Sequence, residues 1–381
     1  MASLDLVRGL DKPVTRYNYP AQLGDLEPLL EKIRRLLLSG TYVLSREVTE
    51  FESAFAQYCG CKCARGVNTG TDALILSLRG LGIGRGDKVI APANTFHATV
   101  AAIELAGAEP VLVDASEGSF LLDQSQLPGV IDSRTRAIVP VHLYGKPVPM
   151  LNLLTLAARH GIEIIEDAAQ AHGARIHDRP VGSLGKIGCF SFHPSKNLSA
   201  AGDAGAIVTD DAELASRIDT LRSLGQAAQN EHVAVGLNSK LDSIQAVILR
   251  WKLPQLDAWN KARARVAAFY RERLSSLPLT FQAADPHEQH VYHLFPIRTA
   301  YRDQLLSHLK ARHIDAVIRY PTPIHLQPAF SHRKWRPGDF PVSERLSREL
   351  LCLPIRPDME DDEIDRVATS VKEFFDRGAR A

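Results

Sequence analysis

Lys196 stands in a short polar turn, His193-Pro194-Ser195-Lys196-Asn197, straight after the apolar run from Ile187 to Phe192. A second strand-like run, Ile162 to Ile165, leads into Glu166-Asp167-Ala168-Ala169-Gln170-Ala171-His172-Gly173. A lysine, an aspartate and a glutamine gathered at strand ends are the groups a pyridoxal phosphate site needs. The lysine condenses with the cofactor's aldehyde, the aspartate holds the ring nitrogen protonated, and the ring becomes an electron sink.

Asn68-Thr69-Gly70-Thr71-Asp72 sits where a helix begins. Gly70 lets the backbone approach a ligand, Thr71 offers a hydroxyl, and the free amides at a helix start favour a phosphate. Plain capping by Thr69 or Thr71 explains the same residues. Every other candidate has a bland counterpart too. Asp167 could cap a helix and Lys196 could be a solvated loop lysine. Phe96 could stack on an aromatic ring or fill the core, and His172 and His193 read as hydrogen-bonded structural histidines. The order of a phosphate-ready helix start, a strand-end carboxylate and a turn lysine carries more weight than any one of them.

The elements that must position these groups follow from periodicity. Helical spacing covers 25–39, with Asp25 as N-cap, then 47–58, 71–78, 97–106 and 150–160. Strand-like runs cover 88–91, 110–113, 137–141, 162–166 and 206–209, which predicts a mostly parallel sheet covered on both faces. From Leu241 the pattern changes to a long helical run, 241–275, broken only at Pro254. A strand 291–298, a helix 301–312, a strand 314–319 and a terminal helix 361–376 complete a smaller α/β layer. The division falls near residue 250, giving 1–250 as a large cofactor domain and 251–381 as a small one. The glycine-rich 80–86 segment follows a helix and precedes a strand, the reverse of a dinucleotide loop.

The totals exclude several classes of function. The 381 residues carry 45 Lys+Arg against 44 Asp+Glu, leaving a charge of +1 and no field that favours nucleic acid or an anionic membrane. No apolar run spans a membrane, and Met1-Ala2-Ser3-Leu4-Asp5 lacks the features of a secretion signal. Five cysteines are sparse and odd in number, which points to the cytoplasm. Cys59, Cys61 and Cys63 lack the spacing of a zinc site and read as strand thiols, so no metal is expected.

With these motifs in order, the chain resembles the DegT/DnrJ/EryC1/StrS family of sugar aminotransferases from about Gly40 to the C-terminus. The similarity runs through Gly70-Thr71-Asp72-Ala73-Leu74, Pro92 to Phe96, Glu166 to Gly173, Ser191 to Asn197, Asn238 to Asp242 and His325-Leu326-Gln327-Pro328. It implies the type I, aspartate aminotransferase-like fold: α/β, a large domain with a mostly parallel sheet and a smaller C-terminal domain. By position, Lys196 would hold the cofactor and shuttle protons, and Asp167 would pair with the ring nitrogen. Gln170 would bond the phenolic oxygen and Phe96 would stack on the ring. Gly70, Thr71, the Asp72 amide and Ser191 would hold the phosphate, with Asn238 reaching the site of a second subunit in a homodimer.

The implied reaction takes an amino group from L-glutamate or L-glutamine, storing it as pyridoxamine phosphate. It then delivers the nitrogen to a keto group of a nucleotide-diphosphate deoxysugar. Lys240, Arg319, Tyr320 and His325 are the candidate sugar contacts, and Arg319 stands where histidine is common in the family. Lysine at 196 opposes the dehydratase branch, which has histidine there. A keto-inositol aminotransferase and a non-catalytic cofactor-binding regulator are the alternatives.

Overall fold

Seven strands form the central sheet of the computed structural model, which describes residues 12–376 and Gly378. The expectation for Met1 to Asp5 lies outside the described residues. In chain order the strands are β1 (Cys63–Val67), β2 (Lys88–Pro92), β3 (Glu109–Val113), β4 (Thr135–Ile138), β5 (Glu163–Asp167), β6 (Ile187–Ser191) and β7 (Gly205–Thr209). They lie side by side as β1-β7-β6-β5-β4-β2-β3. The pairs β2–β3, β2–β4, β4–β5 and β5–β6 are parallel, while β7 runs antiparallel to both β1 and β6. The predicted, mostly parallel sheet is the one observed.

Period-two alternation sends neighbouring strand residues to opposite faces. Ile165 joins the core shared with Leu74, Leu76, Ile103 and Ile187, whereas Ile164 joins the core of Ile138, Leu153 and Ala157. Helices Gly70–Gly80 and His97–Leu105 supply the first face, and helix Met150–His160 supplies the second. Asp25 caps helix Leu26–Ser39 by accepting from the Glu27 amide, as its side chain predicts.

The smaller layer pairs strands Thr280–Phe281, Phe295–Arg298 and Leu350–Leu353 antiparallel, backed by helices Leu256–Leu274, Arg302–Lys310 and Asp361–Asp376. Its core gathers Val266, Tyr270, Leu305, Leu351 and Val367, and it also captures Val14 from the N-terminal segment. Helix Pro341–Glu349 starts against the large sheet. Asp114, just beyond β3, accepts from the amides of Val342 (2.9 Å) and Ser343 (2.8 Å) and from Ser343 Oγ (2.6 Å). A carboxylate 228 residues distant in sequence thus does the work of an N-cap.

Three expectations need correction. The strand expected over 291–298 is confined to Phe295–Arg298, because Tyr292 holds a positive φ of 46° that extended pairing does not accept. The strand expected over 314–319 does not form; Ile314 bridges Val14 and Val317 bridges Cys352, so no two successive residues share a partner strand. Cys59 ends helix Arg46–Cys59 and only Cys63 lies in β1, so the three thiols do not share a strand face.

Candidate active site

Helix Gly70–Gly80 begins beside the end of β6, at the carboxyl edge of the sheet. Its first amides have no carbonyl one turn back to donate to, which leaves them for an anion. Thr69 is the N-cap, accepting from the Asp72 amide at 3.0 Å. The capping reading of this segment is the one observed, and it leaves the amides of Gly70 and Thr71 outside the cap. The Asp72 amide, expected on the phosphate, already has a partner, and the Asp72 carboxylate accepts from Ser239 Oγ at 2.7 Å. Gly70 is required by closeness rather than by backbone angle: a Cβ there would stand 2.6 Å from Ser191 Cβ. Gly70, Thr71 and Ser191 meet at one end of a cavity of about 440 Å³.

Asp167 closes β5 at the floor of that cavity, because the apolar strand carries it into the sheet's interior. Its Oδ2 accepts from Thr99 Oγ1 (2.8 Å) and its Oδ1 from the Ala169 amide (3.2 Å). Burial raises its pKa, against the pull of those donors and of Lys196 and His142. Lys196 lines the same cavity, and burial pushes its amine down to about 8, with Asp167 pulling upward and Arg319 downward. An amine near neutrality is suited to accepting and returning a proton.

Gln170 is fixed at both ends. Its Oε1 accepts from the Tyr144 amide (2.7 Å) and its Nε2 donates to Tyr320 Oη (3.0 Å). Tyr144 Oη in turn donates to the Arg319 carbonyl at 2.7 Å, tying segment 319–320 over the cavity. Phe96 is half-exposed at the start of helix His97–Leu105, its ring 5.5 Å from that of Tyr320. It is therefore free to face a planar ligand instead of packing in the core.

Not every candidate is brought here. Asn238 is exposed and outside the cavity, held by Lys240 Nζ at 2.5 Å. His325 is sealed, its Nε2 against Glu344 Oε1 at 2.9 Å and its ring edge-on to Phe340, so it cannot reach a substrate in this arrangement. His172 is packed on Phe190 and Phe192, and burial pushes its pKa down to about 3. Sequence reasoning missed Tyr17, Thr99, Asp203 and His293. Thr99 lies three residues after Phe96 and Asp203 seven after Lys196, within reach of a spacing argument, but Tyr17 and His293 come from distant segments with no shared motif. A larger groove of about 760 Å³, beside Trp251 and Trp259, holds none of the candidates.

The arrangement suits pyridoxal phosphate on three independent counts: a cradle that a single Cβ would fill, a buried carboxylate, and a lysine of lowered pKa sharing one cavity with it. Comparison with known proteins agrees. The chain is 46% identical over 346 residues, 91% of each protein, to dTDP-3-amino-3,4,6-trideoxy-alpha-D-glucose transaminase of Streptomyces venezuelae. It is 42% identical over 346 residues, 91% of this chain and 93% of the relative, to a UDP-N-acetyl-3-dehydro-alpha-D-glucosamine 3-aminotransferase of Acidithiobacillus ferrooxidans. The crystal structure of S. venezuelae DesV with a ketimine intermediate superposes with a TM-score of 0.94 at 44% identity, covering 97% of this chain and 100% of that one. Residues 26–372 match the family signature, and the chain belongs to the DegT/DnrJ/EryC1/StrS aminotransferase family.

Proposed function

We propose that this enzyme is a pyridoxal-phosphate-dependent aminotransferase that moves an amino group from L-glutamate, or L-glutamine, to a keto group of a dTDP- or UDP-linked deoxysugar. The observation that carries the reading is the meeting of Lys196, Asp167 and Gln170 in one cavity with an anion-ready helix start. The named activities of the two sugar-nucleotide relatives support the substrate class.

When bound, the cofactor supplies an electron sink for the pair of electrons left as a proton departs the substrate carbon. The protein's residues do the rest. Gly70, Thr71 and Ser191 would hold the phosphate, Phe96 would cover one ring face, and Gln170 Nε2 would be the donor for the ring's phenolic oxygen. Asp167, whose Oδ atoms accept from Thr99 and Ala169 against the upward push of burial, would face the ring nitrogen and favour its protonated form. The Lys196 amine would be the group that takes the proton from the donor's carbon and returns one, in both half-reactions. Arg319 and Tyr320 line the same cavity and are the proposed contacts for the anionic, hydroxylated acceptor.

The active unit is proposed to be a homodimer. Tyr42, Leu44, Leu224, Val233 and Val235 are exposed apolar side chains, and Asn238 is exposed without lining its own chain's cavity. The division near residue 250 and a cytoplasmic location complete the proposal.

Purified protein should be yellow, and L-glutamate should bleach its visible band while 2-oxoglutarate accumulates. Lys196→Ala should lose turnover by at least about 10³-fold; retained turnover would falsify the lysine's role. Panels of nucleotide-linked keto sugars against keto-inositols test the acceptor, and cofactor binding with no release of oxoacid would favour the regulator.

A further inference from the structure

Immediately after the reactive lysine, Asn197 leaves the cavity and enters the protein, where it is buried with Asn260 and His293. The Asn197 Nδ2 donates to the Val291 carbonyl (2.9 Å) and to Asn260 Oδ1 (2.9 Å). Asn260 Nδ2 donates to the His172 carbonyl at 2.8 Å. A backbone carbonyl only accepts, so the two carbonyls fix which end of each amide is nitrogen. Asn197 therefore presents Oδ1 to His293, whose Nδ1 lies 3.3 Å away. An amide oxygen only accepts, so His293 carries its hydrogen on Nδ1 and a lone pair on Nε2.

That lone pair has a destination. His293 Nε2 makes no hydrogen bond among the described residues, yet it is absent from the sealed unpartnered atoms of the interior, and His293 lines the cavity that holds Lys196. Burial and the charges of Lys196, Arg263, His172 and Arg319 hold the His293 pKa well below its ordinary value. The ring stays neutral and cannot act as an acid near pH 7. It is a fixed acceptor, and the turn that carries the amine also fixes the acceptor's tautomer.

Resting on the aminotransferase reading, we propose that His293 is a positioning residue whose Nε2 accepts a hydrogen from the Lys196 amine, with its tautomer and aim set through Asn197 and Asn260. The partner is the lysine and not a substrate hydroxyl, because the Asn197 link ties the acceptor to the turn that carries Lys196. The acceptor stabilises the ammonium more than the free amine, so it holds the lysine pKa up and aims the amine during proton transfer.

The test uses two variants that keep the interior filled. His293→Asn retains a donor in the place of Nδ1 and deletes the cavity-facing acceptor. His293→Gln places an amide oxygen where Nε2 stood. Expected for His293→Asn are unchanged melting, a kcat loss of about ten-fold or more, and a KM for each substrate within about three-fold of wild type. The pH midpoint for trinitrobenzenesulfonate labelling of Lys196, read by peptide mass on full-length protein freed of cofactor, should move downward. His293→Gln should restore both toward wild type. A His293→Asn enzyme with unchanged kcat and labelling midpoint overturns the proposal, and so does an effect confined to the acceptor's KM. Wild-type protein that transfers nitrogen from no amino acid sinks the aminotransferase reading instead, and the labelling comparison still decides the case of His293.

Discussion

Asp167 is the residue whose chemistry is most finely set by its neighbours. Burial raises its pKa, while Thr99, Ala169, Lys196 and His142 pull it back. Thr99→Val removes the donor to Oδ2. The Asp167 pKa should then rise further, so the acid limb of the kcat/KM profile should move to higher pH, with the alkaline limb unmoved. A profile identical to wild type would show that the Thr99 hydroxyl does not govern the carboxylate. Asp167, Gln170, Phe96 and Lys196 were legible in the sequence because each sits in a local run whose strand or helix boundary dictates its direction. His293 and Tyr17 were not, since distant segments deliver them and no spacing relates them to Lys196. His325 was expected near the sugar from a family motif, and motif alone does not reveal that Glu344 pairs with it outside the cavity.

At the scale of elements, the start of helix Gly70–Gly80 serves both stability and ligand binding, and two substitutions separate the roles. Thr69→Ala removes the side chain that caps the Asp72 amide and should cost about 1 kcal/mol in urea unfolding. Gly70→Ala pushes a methyl group into Ser191 and should cost about 1–3 kcal/mol. It should also weaken retention of the cofactor through dialysis, which Thr69→Ala should affect far less. Equal cofactor loss in both would mean that the cradle is not built on this closeness. The main sheet was readable because buried parallel strands form continuous apolar runs. Segments 291–294 and 314–319 have similar composition, but one is broken by the Tyr292 backbone and the other changes partner within three residues. Such events depend on tertiary placement, which periodicity does not encode.

For the whole molecule, the proposed homodimer makes a prediction that no single chain can satisfy. If Asn238 serves the neighbouring site, Lys196→Ala and Asn238→Ala proteins should each be impaired, and mixing them under subunit exchange should restore activity. Random pairing leaves about one quarter of sites with both groups intact. No recovery, despite exchange verified by mass, would place Asn238 outside catalysis. The two-layer architecture was visible from the change of pattern after Leu241, but the return of Val14 to the second core was not. An N-terminal valine carries no mark of the partner that will bury it.

The clasp between Asp114 and the amides of Val342 and Ser343 joins a residue made early to two made near the end of the chain. Until residue 343 has left the ribosome, a carboxylate at the rim of the finished sheet waits without its donors, and the second layer lacks the strand Leu350–Leu353 that centres it. A chain truncated before that point would leave Asp114 without these donors and the second layer without its central pairing to Phe295–Arg298.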